Sequence, residues 1–119
     1  MRLLVCGSRD WKDREAIRAK LLELRPELVI HGAHWSGADK IAADLCLELG
    51  IPQQPYPARW RDSGRSAGPR RNQQMLNEGR PDQVLAFHLQ KRQRGTDDMV
   101  HRAHMLGLPI KVVWAKEQP

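Results

Sequence analysis

The chain has 119 residues and a formal net charge of +6. That length fits one domain, 1–119, able to bury a core without disulfides or a metal, and the charge favours anionic partners without separating nucleic acid from a nucleotide. No apolar run approaches the ~20 residues of a membrane span, and Leu3–Cys6 is too short for a signal-peptide core, so the chain reads as a soluble, cytoplasmic protein with no membrane partner. Arginine outnumbers lysine, which leans towards bidentate phosphate recognition, although high-GC coding gives the same bias. Cys6 and Cys46 sit in apolar surroundings and read as small core residues in a reducing compartment.

Taken in chain order, Arg2–Cys6 is a short apolar run read as a strand buried on both faces, ending at Gly7. From Trp11 the spacing of Ile17, Leu21 and Leu24 predicts a helix capped by Asp10 and ended by Pro26. Glu27–His31 is a second buried strand. Ser36 or Gly37 then opens a helix whose apolar face is Ala38, Ile41, Ala42, Leu45 and Leu49, with Gly50 as the stop. Internal prolines demote Ile51–Pro57 to an edge strand. An arginine-rich loop follows and leads into a short polar helix from about Pro69 to Glu78. Asp82–Phe87 is the fourth strand, followed by a basic loop. Thr96 caps a helix bearing Met99, Val100, Ala103 and Leu106, stopped by Gly107. Pro109–Trp114 is the fifth strand, and the last five residues read as a frayed tail. Strands alternating with helices predict an α/β, Rossmann-like three-layer sandwich. Its five-stranded parallel sheet would have the order 3-2-1-4-5.

In such a sheet ligands bind beyond the carboxyl ends of the strands, where the polar, glycine-containing loops fall. Gly7-Ser8-Arg9-Asp10 places a glycine, a hydroxyl and an arginine before a helix, where amides favour anions. In Gly32–Asp39 the glycines have P-loop spacing, but Gly37 is followed by Ala38-Asp39 rather than lysine, which argues against an ATPase. Gly37 and Ala38 leave room for close backbone approach to a phosphate or ribose. Gly95-Thr96 stands at a helix start that could hold a phosphate, or Thr96 could simply cap the helix. His31/His34 and His101/His104 lack further ligands, so no metal and no cofactor are expected. Trp35 and Trp60 could stack on a base or pack over the sheet edge.

The ordered set "VCGSRDW", "VIHGAHWSGAD", "GRSAGPRRNQQML", "DQVLAF" and "RGTDDMV" resembles the SLOG superfamily, in its small YspA-related (YspA/CpYpsA-like) branch. That superfamily is similar to the Lonely guy phosphoribohydrolases and to the Rossmann-like domain of DNA-processing protein A. The resemblance implies a site for a nucleotide-derived ligand, often in phage–host settings. Carried over by position, it points to Gly7, Ser8, Arg9, Gly32, Gly37, Ala38, Asp39, Arg71, Asn72, Gly95 and Thr96. Lonely guy enzymes carry a glutamate where this chain has Met99, and a thioether is neither acid nor base. The glycines that usually precede Gly-Thr are replaced by a basic loop, so Lys91, Arg92 or Arg94 could supply the phosphate contact.

Three functions remain open at this point. The first is binding or sensing of a nucleotide-like small molecule (ADP-ribose- or NAD-derived, or a nucleoside phosphate). The second is hydrolysis of a nucleotide N-glycosidic bond, with Asp98 or Asp39 as acid or base. The third is DNA or RNA binding through the basic loops. A homodimer or higher homo-oligomer is open as well. Arg59, Arg61 and Arg65 read as a lid-like loop, whereas Arg70, Arg71 and Asn72 read as the first turn of a phosphate-binding helix. Arg71→Ala is expected to weaken nucleotide binding with little effect on stability.

Overall fold

A computed structural model describes residues 1–116. The three terminal residues of the expected tail lie outside the described residues. Five strands form one parallel sheet of order β3-β2-β1-β4-β5: β1 (Arg2–Gly7), β2 (Leu28–His31), β3 (Gln53–Pro55), β4 (Gln83–His88) and β5 (Ile110–Trp114). The helices are α1 (Arg14–Leu24), α2 (Gly37–Leu49), α3 (Trp60–Ser63), α4 (Ala67–Gly79) and α5 (Arg94–Met105). Among the described residues no helix is long and apolar enough to cross a membrane.

Strand β1 is the centre of the fold. Its side chains alternate between faces, as the two-residue period of a strand requires. Leu3 and Val5 pack with Ile17 and Leu21 of α1, Ala42 and Leu45 of α2, and Phe87. Leu4 and Cys6 pack on the opposite face with Met75 and Leu76 of α4 and Met99 and Ala103 of α5. Two helices therefore cover each face, and the connections between strands bring every βα loop to the carboxyl edge. The reversal between β1, which turns towards β2, and β4, which turns towards β5, opens the crevice at that edge.

Four local readings need correction. Asp13, not Asp10, caps α1, its Oδ1 accepting from the Ala16 amide at 3.1 Å. Trp11 delays the helix. It is buried, stands 5.3 Å from the Phe87 ring and ties its indole N–H to the Asp13 carbonyl at 2.8 Å. The arginine-rich segment is not a loop throughout, because α3 and a 3-10 turn over Gly64–Ser66 occupy it before α4 begins at Ala67. Arg70 therefore closes the first turn of α4, whereas Arg71 and Asn72 lie just beyond it. Thr96 is not the cap of α5. Gln93 is, and Thr96 is a buried residue inside the first turn. Leu106, expected on the inner face of α5, is 56% exposed.

Candidate functional site

The glycines after β1 and β2 let backbones meet. A Cβ on Gly7 would lie 2.5 Å from the Phe87 carbonyl oxygen and 2.7 Å from the Ala38 Cβ. Gly37 has φ +71°, and a Cβ there would stand 2.2 Å from the Ser8 carbonyl oxygen. The N-terminus of α2 thus seats on the β1–α1 loop. The Ala38 amide donates to the Ser8 carbonyl at 3.0 Å, and the Ser36 hydroxyl donates to the Arg9 carbonyl at 3.0 Å. Ser8 is buried and heavily used. Its amide donates to Phe87, while its Oγ accepts from the Asp10 amide at 3.0 Å and from Gln93 Nε2 at 2.8 Å. Arg9 is exposed beside it.

A buried polar cluster lies beneath Gly32. Arg71 reaches over from α4, and its Nη1 donates to the Gly32 carbonyl at 2.6 Å. A Cβ on Gly32 would be 2.4 Å from that Nη1 and 3.0 Å from Asp39 Oδ2, so glycine is required for the guanidinium and the carboxyl to share this space. Asp39 Oδ2 accepts from the His34 amide at 3.2 Å. Burial raises the Asp39 carboxyl above its ordinary value, against the opposing pull of the His34 amide and of charge at His31, Arg71 and His34. Burial also lowers Arg71, opposed by Asp39 and Cys6. The Cys6 thiol is pushed up strongly by burial and by Asp39, with Arg71 opposing. His31 closes the cluster. Its Nδ1 accepts from the Ala33 amide at 3.0 Å, which assigns the proton to Nε2, 2.7 Å from Gln53 Oε1. Ala33 takes a left-handed φ of 56°, a strained conformation for a residue with a side chain. Arg71 is therefore not a free arm, and the expectation that the fold tolerates its loss is revised.

Asn72 links this cluster to α5. Its Oδ1 accepts from Arg71 Nε at 3.1 Å, and its Nδ2 donates to the Gly95 carbonyl at 3.2 Å and to Asp98 Oδ2 at 2.9 Å. Asp98 Oδ2 also accepts from Arg102 Nε at 2.8 Å. The two candidate carboxylates are thus placed apart. Asp39 is buried behind Gly32, whereas Asp98 lines a groove of about 360 Å³ between α4 and α5 with Gln73, His101 and Arg102. Met99 is wholly buried in the core.

The start of α5 is held from behind and open in front. The Gln93 amide donates to Asp97 Oδ2 at 3.0 Å, and Asp97 Oδ1 lies 2.6 Å from His88 Nε2. The other ring nitrogen of His88 faces the Leu89 carbonyl, and the ring lies against Trp114 with centroids 4.8 Å apart. Burial would raise Asp97. Hydrogen bonds from His88 and the Gln93 amide, with charge at His88 and Arg92, outweigh it and hold the carboxyl below its ordinary value. The first intrahelical bond runs from the Asp97 amide to the Gln93 carbonyl at 2.8 Å, so the amides of Arg94, Gly95 and Thr96 have no partner within the helix. Gly95 is exposed, and a Cβ there would meet nothing within 4 Å.

Hydrogen bonds thus join Ser8 to the start of α5 through Gln93, and Arg71 to Gly95 through Asn72, with Gly32 and Asp39 next to the Arg71 guanidinium. A family model described as "YspA, cpYpsA-related SLOG family" matches residues 1–62, from β1 through most of α3. The chain belongs to this SLOG family. It is also 34% identical over 119 aligned residues to the Gene 61 protein of Mycobacterium phage D29, covering 92% of this chain and 93% of that protein. Membership in the SLOG family is consistent with a nucleotide-related ligand at this edge. Sequence reasoning missed Gln93, His88 and Asp97, which position the α5 turn. Glutamine and histidine in a basic loop carry no spacing signal, because their partners come from Ser8 and from the following helix.

Proposed function

We propose that this SLOG domain binds a nucleotide or nucleotide-derived ligand (ADP-ribose- or NAD-derived, or a nucleoside phosphate), with a phosphate against the first turn of α5. The observation that carries the reading is Gly95. It is exposed, has nothing within 4 Å of a Cβ position, and lies among helix-start amides beside Asn72 and Arg71. Such a turn favours anions through its free donors and the helix dipole. Backbone approach there is unhindered in a way that it is not at Gly7, Gly32 or Gly37. Trp35, 81% exposed in the neighbouring loop, offers an indole face to a base. The test is a thermal-shift panel of AMP, ADP-ribose and NAD. A ligand at about 100 times its Kd adds about 2.7 kcal/mol. Absence of any shift at millimolar ligand across the panel would remove the proposal.

The raised carboxyl of Asp39 supports a second reading, turnover of an N-glycosidic bond, because a carboxyl inclined to hold its proton is suited to general-acid work. Asp98 is less suited, being engaged as an acceptor by Asn72 and Arg102. Free base or ribose 5-phosphate released from AMP or ADP-ribose, and lost in Asp39→Asn, would establish this reading. No release over a day at high enzyme concentration would leave binding alone.

A further inference from the structure

The geometry points to a second surface, meeting the nucleotide site at Arg71: α3 and the start of α4 form a track for single-stranded nucleic acid. Arg59, Arg61, Arg65 and Arg70 contact phosphates on it, and Trp60 stacks on a base.

Two observations carry this. The first is charge that the fold does not use. Some cations elsewhere meet carboxylates, Arg14 with Glu48, Lys20 with Glu23 and Lys40 with Asp44, and exposed ones that do not, such as Arg9, Lys12, Arg25 and Arg80, are scattered along the chain. Among the described residues Arg59, Arg61, Arg65 and Arg70 take part in no ion pair, although all four are exposed within one short segment whose one acid is Asp62. Like charges this close repel one another, and an anionic partner with repeated charges relieves that repulsion. Arginine's planar fork matches phosphate oxygens. The second observation is Trp60, 57% exposed between two of these arginines. Its Cη2 lies 3.4 Å from the place a Cβ on Gly68 would take, so the indole rests against α4 at a residue with no side chain while much of it faces outward. A groove of about 370 Å³ runs beside it, with Arg59, Asp62, Ser63, Arg70, Arg71 and Gln74 among its walls.

The combination selects the partner. An unstacked base offers a π-face to Trp60, worth about 1–3 kcal/mol per base, whereas a duplex keeps its base faces stacked. An acidic peptide would satisfy the arginines but has no use for the indole. Insertion into an anionic bilayer calls for a broad apolar face, and Trp60 is the one large exposed apolar side chain in this segment.

The test is fluorescence anisotropy of a labelled oligothymidylate of about 12 nucleotides, across a salt series, against the intact protein. A duplex of equal length and phosphatidylserine vesicles are run beside it. Binding at low salt is expected, with the triple variant Arg59→Ala/Arg61→Ala/Arg65→Ala lowering the log–log salt slope by about 2, from about 0.7 per lost phosphate contact. Trp60→Ala should weaken binding about tenfold, and Trp60→Phe, which keeps a stacking ring, should restore most of it. The arginine variant should keep the parent's melting temperature and its response to nucleotides. No binding at low salt, an unchanged slope in the triple variant, equal affinity in Trp60→Ala, or tighter binding of duplex or vesicles would each overturn the proposal.

Discussion

Replacing Arg71 by methionine removes the bridge between the two halves of the site while keeping the length of the stem. The guanidinium gives up a hydrogen bond to the Gly32 carbonyl at 2.6 Å and one to Asn72 Oδ1 at 3.1 Å. A hydrogen bond from a charged group contributes about 1.5–3 kcal/mol. Leaving a buried charge unpaired can cost about 3–5 kcal/mol, but Arg71 is only half-buried and Asp39 can take up a proton, so the upper figure is not reached. A loss of about 2–3 kcal/mol follows. With about 2.1 cal/mol/K of unfolding entropy per residue over 119 residues, that is a fall of about 8–12 °C in Tm. The effect should also depend on pH. Burial, the largest influence, already holds the folded Asp39 above its ordinary 3.8, and Arg71 is one of the charges opposing that rise. A carboxyl raised on folding supports the fold fully below its unfolded value and withdraws that support as pH rises through its folded value. Without Arg71 the rise is larger, so the gap between variant and parent should widen from about pH 4 to neutrality. Circular-dichroism melts at both pH values measure this. A fall under about 3 °C at neutral pH would refute the hydrogen bonding of Arg71 to Gly32 and Asn72, and the same gap at both pH values would refute its influence on Asp39.

Four further outcomes follow from particular positions. Gly37→Ala places a Cβ 2.2 Å from the Ser8 carbonyl at a left-handed φ and should cost several kcal/mol in urea melts, about the limit of what a marginally stable domain withstands. Gly95→Ala meets nothing and should be neutral or add up to about 1 kcal/mol, while lowering the affinity of any ligand that approaches the α5 amides. The Cys46 thiol, pushed up to about 11 by burial, and Cys6, raised further, should resist Ellman's reagent in the folded protein at mildly alkaline pH. Both should react in guanidinium. Asp97, held below 3.8 in the fold, supports stability above its unfolded value and loses that support as pH falls through its folded value. Asp97→Asn should therefore flatten the acid limb of the stability profile measured by thermal melts.

The sheet was legible because buried parallel strands are short apolar runs, and Leu3–Cys6, Val29–Ile30 and Val84–Phe87 are such runs between turn signals. Their order followed from the handedness of crossovers rather than from any residue. The corrections fall where one side chain's tertiary contact overrides a local signal. Asp10 looks like a cap only until Trp11 is seen to enter the core, and Thr96 looks like a cap only until Gln93 is seen to reach Ser8. The four-residue helix α3 has no apolar stripe, so periodicity could not reveal it. Arg71 looked like a free cation because its partners, Gly32 and Asp39, lie more than thirty residues away in sequence and become neighbours only through the adjacency of β2, α2 and α4.

The glycines show what separates scaffold from site. Gly7, Gly32, Gly37 and Gly95 are equivalent in a motif, yet the space a side chain would fill is taken at three of them by Phe87 and Ala38, by Arg71 and by Ser8, and is open at the fourth. The first three explain how α2 and α4 come close enough to the end of β1 to support the mouth of the crevice. Their replacement should damage folding before it touches binding. Around the fourth, Asn72 fixes the Gly95 carbonyl, Gln93 joins the turn to Ser8, and Asp97 joins it to His88. None of these contacts uses the amides of Arg94, Gly95 or Thr96, so a bound anion would not have to break an intrahelical bond to reach them. A phosphate could reach Arg71, by contrast, only by competing with the Gly32 carbonyl. Affinity at this edge should therefore depend first on the α5 turn, with Arg71 acting chiefly by holding Asn72 and Gly32 in register.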